Sequence, residues 1–120
     1  MASHITAIPV FQAEAIAQNE SSEYVVDLSR YDCEGFFSLQ LGLSGAGQVD
    51  VTWSVSANNV DFITPADTDP IFDDFTVASG PGSDGKDIAS FDTPLARWLK
   101  ITVTEANVGA VVAGAWLTIQ

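Results

Sequence analysis

The segment Gln48–Ser56 (QVDVTWSVS) alternates apolar and polar residues along its whole length. A period of two places the apolar side chains on one face and the polar ones on the other, as in a half-buried antiparallel strand. Its apolar positions are Val49, Val51, Trp53 and Val55. The same alternation recurs in three other segments, which are Phe37–Leu43, Leu99–Val103 and Val111–Ile119.

Short strand-like segments separated by turn residues follow one another along the chain, and no helical period is sustained. Phe11–Gln18 is ambiguous, because its alanines favour helix and the polar run after it favours a loop; we expect extended structure there. The pattern predicts an all-β fold: a single-domain antiparallel β-sandwich or jelly roll of about eight strands over residues 1–120. Residues 1–20 are expected to form an extended or mobile N-terminal arm. The predicted strands are Ile5–Val10, Tyr24–Leu28, Gly35–Gly42, Gln48–Ser56, Val60–Ile63, Phe72–Val77, Ile88–Phe91, Arg97–Glu105 and Val108–Ile119.

The charge balance excludes some classes of partner. Sixteen Asp and Glu residues against four Lys and Arg give a net charge of −12, which repels phosphate backbones and anionic membranes. We therefore expect no nucleic-acid or membrane partner. The acidity has two explanations: it keeps the protein soluble, or it serves a site such as a carboxylate-bound calcium ion.

The chain offers few residues for catalysis. His4 is the only histidine and Cys33 the only cysteine, so neither a Ser-His-Asp nor a Cys-His set can be assembled in the core. The glycine-rich segment Ser79–Gly85 lacks the lysine ending of a phosphate-binding loop. We expect a protein that is not an enzyme. The start MASHITAIPVF has no basic segment followed by a long apolar one, which predicts synthesis in the cytoplasm without a signal peptide.

An acidic segment is the candidate metal site. Asp67, Asp69, Asp73 and Asp74 lie within eight residues, and calcium takes six to eight oxygen ligands. The segment does not fit the EF-hand loop. Two interpretations remain open: a solvated acidic loop, or a structural calcium site that joins loops. No other cofactor is predicted.

Three aromatic residues are the candidate partner-binding site. With Leu99 and Ile101 facing inward, Trp98 faces outward; the same reasoning turns Trp116 and Phe36 outward on their own strands. If the three strands share a sheet, these rings form an aromatic patch on its outer face, and such patches mark contacts with other molecules. The alternatives are that other segments cover the rings or that the predicted register is shifted by one residue.

Three segments carry a resemblance to a known group of proteins. They are the strand SLQL (Ser38–Leu41), the hairpin beginning WSVS (Trp53–Phe62) and the strand ARWLKITVTE (Ala96–Glu105) before a last apolar strand. Over residues 13–120 the chain resembles small acidic β-sandwich structural proteins of phages and prophages. The ARWLKI part is also similar to discoidin-like jelly rolls, a group that includes carbohydrate- and surface-binding modules.

The resemblance implies a structural protein of the virion, either a capsid decoration protein or a tail component. Its partners would be itself, as a trimer or hexamer, and a symmetric capsid or tail scaffold; it would be made in the host cytoplasm and end in the virion. The alternative is a carbohydrate- or surface-binding module, in which aromatic rings stack on sugars. The candidate rings for that role are Trp98, Trp116, Phe62 and Phe72.

Overall fold

The computed structural model describes residues 5–120, which form eight β-strands and one 3₁₀ turn, Leu28–Arg30. None of the helical structure in these residues is long and apolar enough to cross a membrane. The strands are β1 (Thr6–Ile16), β2 (Ser21–Asp27), β3 (Phe37–Gly45), β4 (Gln48–Ser56), β5 (Phe72–Thr76), β6 (Lys86–Phe91), β7 (Trp98–Glu105) and β8 (Val111–Ile119).

The strands pack as two four-stranded antiparallel sheets. Sheet I has the order β1-β8-β3-β6 and sheet II the order β2-β7-β4-β5. This order, in which the chain passes back and forth between two sheets, is that of an eight-stranded jelly roll. The predicted fold class, an all-β sandwich or jelly roll of about eight strands, is confirmed.

The core lies between the two sheets and is built from the alternating apolar residues. Burying each large aliphatic side chain in such a core contributes about 1.5–3 kcal/mol to the free energy of unfolding. The inward faces predicted for the four alternating segments are correct. The fully buried apolar side chains include Leu39, Leu41, Val49, Val51, Leu99, Ile101, Val103, Leu117 and Ile119.

The N-terminal segment differs from the prediction. Residues 6–16 are not an arm but a single edge strand, β1, paired with β8 along its length. Two register shifts, one of them ending at Glu14, let this strand curve along the sandwich. Pro9 is tolerated because β1 is an edge strand and needs partners on one side only. The extended structure expected for the ambiguous segment is confirmed up to Ile16.

The predicted strand Val60–Ile63 is absent, since only one bridge, between Val55 and Ile63, remains. The reason lies in the preceding turn. The Asn58 side-chain oxygen accepts hydrogen bonds from the backbone N–H groups of Val60 and Asp61, at 3.0 Å each. Those donors are therefore satisfied locally and take no part in a sheet.

Candidate protein-interaction face

The three predicted aromatic residues do not form one patch. Trp116 lies on β8 in sheet I with 47% of its surface exposed, and Phe36 precedes β3 of the same sheet. Trp98 lies on β7, which belongs to sheet II. The prediction was wrong on this point because the jelly-roll order places β7 between β2 and β4, on the far side of the core from β8.

The Trp98 ring is covered by an arginine. The Arg97 guanidinium carbon lies 4.7 Å from the ring centroid. Its Nε and Nη2 atoms donate to the two carboxylate oxygens of Asp27, at 3.1 Å each. These hydrogen bonds from Arg97 hold the pKa of Asp27 well below its usual range. One face of Trp98 is therefore already occupied by a side chain of the same molecule.

The loop aromatics are also engaged within the molecule. The Lys100 ammonium lies 4.2 Å from the centroid of the Phe62 ring. Phe72 is buried in β5 and packs edge-on against Phe75, so it cannot stack on a sugar. Of the four rings proposed for sugar stacking, Trp116 is the one with about half of its surface open.

Sheet I presents an outer face that carries no carboxylate. The side chains that point inward alternate with outward ones along each strand, and none of the outward residues of the four strands is Asp or Glu. Asp87 and Glu14 belong to these strands but lie opposite the buried residues Leu41 and Ala113, on the inward side of the sheet edges. We call this outer surface the carboxylate-free face.

The carboxylate-free face is arranged in rows that run across the strands. The central row aligns Pro9, Trp116, Gln40 and Ile88, one from each strand. The next row contains Gly114, Gly42 and Lys86, the last being the one charged residue among the outward positions of these strands. The rows on either side of these two contain Ala7, Thr118, Ser38 and Ser90, and Ala15, Val112 and Ser44.

The outer surface of sheet II, in contrast, carries several carboxylates. Glu23, Asp27 and Asp50 lie at outward positions of β2 and β4, in register with Thr102, Trp98 and Thr104 of β7. Asp73 and Asp74 of β5 adjoin Asp50. The carboxylates of the two sheet surfaces are therefore concentrated on one side of the sandwich.

The structure divides the four aspartates of the predicted calcium site. Asp73 and Asp74 join Asp50, and the carboxylate oxygens of these three lie within 4.8 Å of one another. Asp67 and Asp69 are not part of this group; they line a separate surface depression beside Pro65 and Pro70. Asp50 could not be singled out from the sequence, because a cross-strand pairing brings it to β5. Calcium binding stays a prediction, for which Asp50, Asp73 and Asp74 offer one oxygen ligand each.

The cluster of three aspartates costs stability when it is fully ionised. A shared hydrogen bond with Asp50 and the charge of Asp74 raise the pKa of Asp73. A raised pKa means that the penalty is absent below the unfolded value of 3.8 and grows as pH rises through the folded pKa. We expect Asp73→Asn to raise the midpoint of thermal unfolding by about 2–4 °C at neutral pH. Near pH 3 the midpoint should not change. Calorimetry at both pH values checks this, with Asp69→Asn as control; equal effects of the two variants would contradict it.

Glu105 is a buried acid that sequence reasoning missed. It continues the inward-facing register of β7 after Val103, and 1% of its surface is exposed. Burial alone would raise the pKa of its carboxyl group, but backbone N–H donors outweigh this effect and lower the pKa to about 2. Donor–acceptor distances range from 2.7 to 3.3 Å, and the donors are the backbone nitrogens of Asn19, Gln48, Asn107, Val108 and Gly109.

The Glu105 carboxylate therefore accepts hydrogen bonds from three connections at one end of the sandwich. These are the β1–β2 turn, the β3–β4 hairpin and the β7–β8 hairpin. Each carboxylate oxygen is occupied by backbone donors. The group is a structural anion held by the backbone and has no free oxygen to accept a proton from a substrate.

Cys33 is exposed in the loop between the 3₁₀ turn and β3. It lines a cavity of about 630 Å³ together with Leu28, Phe37 and Pro94, and the fully exposed Leu95 lies at the same place. None of the described residues that line this cavity is a histidine. His4, the only histidine of the sequence, lies outside the described residues.

Comparisons with known proteins show the fold and no family. No protein-family model matches the chain, and no curated protein matches it. Among solved structures, it is similar to PliG of Aeromonas hydrophila, a periplasmic lysozyme inhibitor of g-type lysozyme. The TM-score is 0.52 and the identity 12%, over 98% of this chain and 87% of that one. At this identity the likeness concerns the β-sandwich architecture.

Proposed function

We propose that this protein is a non-enzymatic structural component of a phage virion, a capsid decoration or tail protein that docks on a symmetric protein scaffold. The observation that carries the proposal is the carboxylate-free face. The chain has a net charge of −12, yet the outer surface of one whole sheet carries no Asp or Glu. Burial of this surface against another protein explains the absence of carboxylates there.

The central row of this face has two features of a protein contact, a lack of charge and an exposed aromatic ring. The centres of protein–protein interfaces are depleted in charged residues and enriched in aromatic ones. Trp116 and Ile88 stand in the central row, with 47% and 58% of their surfaces exposed, and Phe36 at one margin with 61%. Sheet II, with its carboxylates, then faces solvent or a DNA-filled space, where negative charge prevents adhesion to the phosphate backbone.

The non-enzymatic part of the proposal is supported by the state of the buried acid. Glu105 is fully occupied by backbone donors and its pKa is low, so it is not poised for general acid–base catalysis. The similar solved structure is a lysozyme inhibitor.

A particle-association experiment tests the proposal. Virus particles from a culture that expresses the protein are purified on a density gradient, and peptides of the particle band are identified by mass spectrometry. We expect the protein in that band, and we expect Trp116→Glu to shift it to the soluble fraction. Thr102→Glu, which adds the same charge to the outer face of the central strand β7 in sheet II, should stay with the particles. Wild-type protein found in the soluble fraction alone would contradict the proposal.

Carbohydrate binding is a second candidate, favoured by one observation. Trp116 is half exposed and directly opposite Gln40 on the neighbouring strand, which places a hydrogen-bonding side chain beside a ring. Glycan binding that is lost in Trp116→Ala and kept in Trp98→Ala would favour this candidate over the structural role.

A further inference from the structure

We propose that the occupant of the carboxylate-free face is a second copy of the chain, related by a two-fold axis, with each Trp116 ring packed over the Gly42–Gly114 pair of the other copy. The inference deepens the proposed function, on which it rests for the statement that this face is buried in an assembly. It adds the identity of the partner and the contact that joins the two.

The distribution of charge favours this face for contact between two copies of the chain. Each copy carries a net charge of −12, so two copies repel one another at most approaches. A contact through sheet II would bring Glu23, Asp27 and the aspartate cluster against their own copies, and like charges at close range oppose association. A contact through sheet I brings together no carboxylate of its outward rows. Of the two sheet faces, the outer face of sheet I therefore gives less repulsion between identical copies.

The same face contains both a projection and a gap. Gly42 and Gly114 are directly paired across β3 and β8. A Cβ atom built on either would lie 3.9–4.0 Å from its nearest neighbour, a backbone oxygen in both cases, so no side chain of residues 5–120 lies within 4 Å of these positions. Trp116 lies two residues from Gly114 on the same face of β8, about 7 Å along the strand. The Trp116 ring therefore lies beside a part of the sheet surface where the strands carry no side chains.

This pairing of projection and gap is self-complementary under a two-fold axis. An axis in the plane of contact, perpendicular to the strands and midway between the Trp116 row and the glycine row, exchanges the two rows. Each Trp116 then lies over the Gly42–Gly114 pair of the other copy, and Ile88 meets the apolar stem of Lys86. An isologous contact requires that one patch match itself, and this patch does.

The size of the face is adequate for such a contact. Nine-residue strands at about 3.3 Å per residue and four strands at about 4.8 Å spacing give a surface of about 30 by 19 Å. The accessible area of a face with side chains exceeds its flat projection, which brings it near the roughly 800 Å² per partner of a standard interface. The two glycines keep the middle of the face flat enough for close approach.

Light scattering of the full chain and two variants tests the inference. An isologous contact gives an even number of subunits, so we expect the wild type to be a dimer, or a hexamer made of two trimers joined by this face. Trp116→Glu places two carboxylates in the contact, and Gly114→Val fills the gap. Both should halve the mass, whereas Thr102→Glu on sheet II should leave it unchanged.

Gly114→Val also separates loss of contact from loss of folding. A β-branched residue suits a strand better than glycine, and the nearest atom that the added Cβ would meet among residues 5–120 is the backbone oxygen of Phe11, at 3.9 Å. The separated subunit should therefore remain folded and melt about 3–5 °C above separated Trp116→Glu subunits. Halved mass with this gain in thermal stability supports the inference.

Three results would overturn it: a wild-type monomer at the highest soluble concentration, a trimer, or an even oligomer that keeps its mass in both variants. A monomer that binds glycans through Trp116 would assign the face to the sugar-binding candidate instead. Failure of the self-contact inference can be distinguished from failure of the proposed function. A monomer present in the particle band overturns the self-contact alone, and an even oligomer absent from particles overturns the virion role alone.

Discussion

Glu105→Ala is expected to lower the midpoint of thermal unfolding by about 10–20 °C, the largest effect of any substitution outside the apolar core. The reason is that one carboxylate accepts hydrogen bonds from the backbone of three separate connections, and its removal leaves partly buried N–H groups without acceptors. Glu105→Gln keeps the size of the side chain and one oxygen, so its effect should be smaller. Glu23→Ala, which removes an exposed carboxylate on β2, is the control and should shift the midpoint by a few degrees at most.

The Glu105 carboxylate also makes the stability of the protein depend on pH in the acidic range. The pKa of Glu105 is lowered to about 2 in the folded state from 4.5, so its stabilising effect is complete above the unfolded value. That effect is lost as pH falls from about 4.5 toward about 2. Over this range the difference in melting temperature between wild type and Glu105→Gln should shrink. A difference that stays constant with pH would show that the carboxylate charge is not what stabilises this end of the sandwich.

Gly47→Ala is expected to lower the melting midpoint by about 10 °C, because the space beside this residue is already full. A Cβ atom at position 47 would overlap the backbone oxygen of Gly109, and it would approach the Val111 side chain at 2.6 Å and Glu105 Oε2 at 2.9 Å. The β3–β4 hairpin would have to move away from the β7–β8 hairpin, which also breaks the hydrogen bonds to Glu105.

Gly82→Ala is the matched control for this prediction. Its Cβ would meet Asp84 at 3.5 Å, an ordinary contact at an exposed loop. Thermal unfolding of the two variants beside wild type measures the difference directly. If the two alanines changed the midpoint by the same amount, the close approach of the two hairpins would not be a constraint on the fold.

Most of the fold follows from the sequence because strand periodicity is a local property. The inward positions of β4, β7 and β8 are correct to the residue, since each alternates strictly and a shift by one would expose the whole apolar set. The strand Val60–Ile63 was wrongly predicted because the side chain of Asn58 competes for its backbone donors, a contact that a hydrophobic pattern does not register.

The candidate site depended on strand order, which periodicity does not determine. Trp98 and Trp116 both face outward as predicted, yet they lie on opposite sheets, because sequence alone does not say which strands are neighbours. The absence of carboxylates from the outer face of sheet I becomes visible once β1, β8, β3 and β6 are known to lie side by side. Glu105 did leave a signal: an acid in the inward register of an otherwise apolar strand.

Hydroxyl-radical footprinting tests the central claim, that protein covers the carboxylate-free face, most directly. The protein is oxidised as a dilute solution, as a concentrated solution and in the purified particle, and the modified side chains are identified by mass spectrometry. We predict that Trp116, Ile88 and Phe36 become protected on concentration or in the particle, while Val25 on the outer face of β2 in sheet II keeps its reactivity. Unchanged oxidation of Trp116 in both assembled states, or protection confined to sheet II, would contradict the assignment of this face.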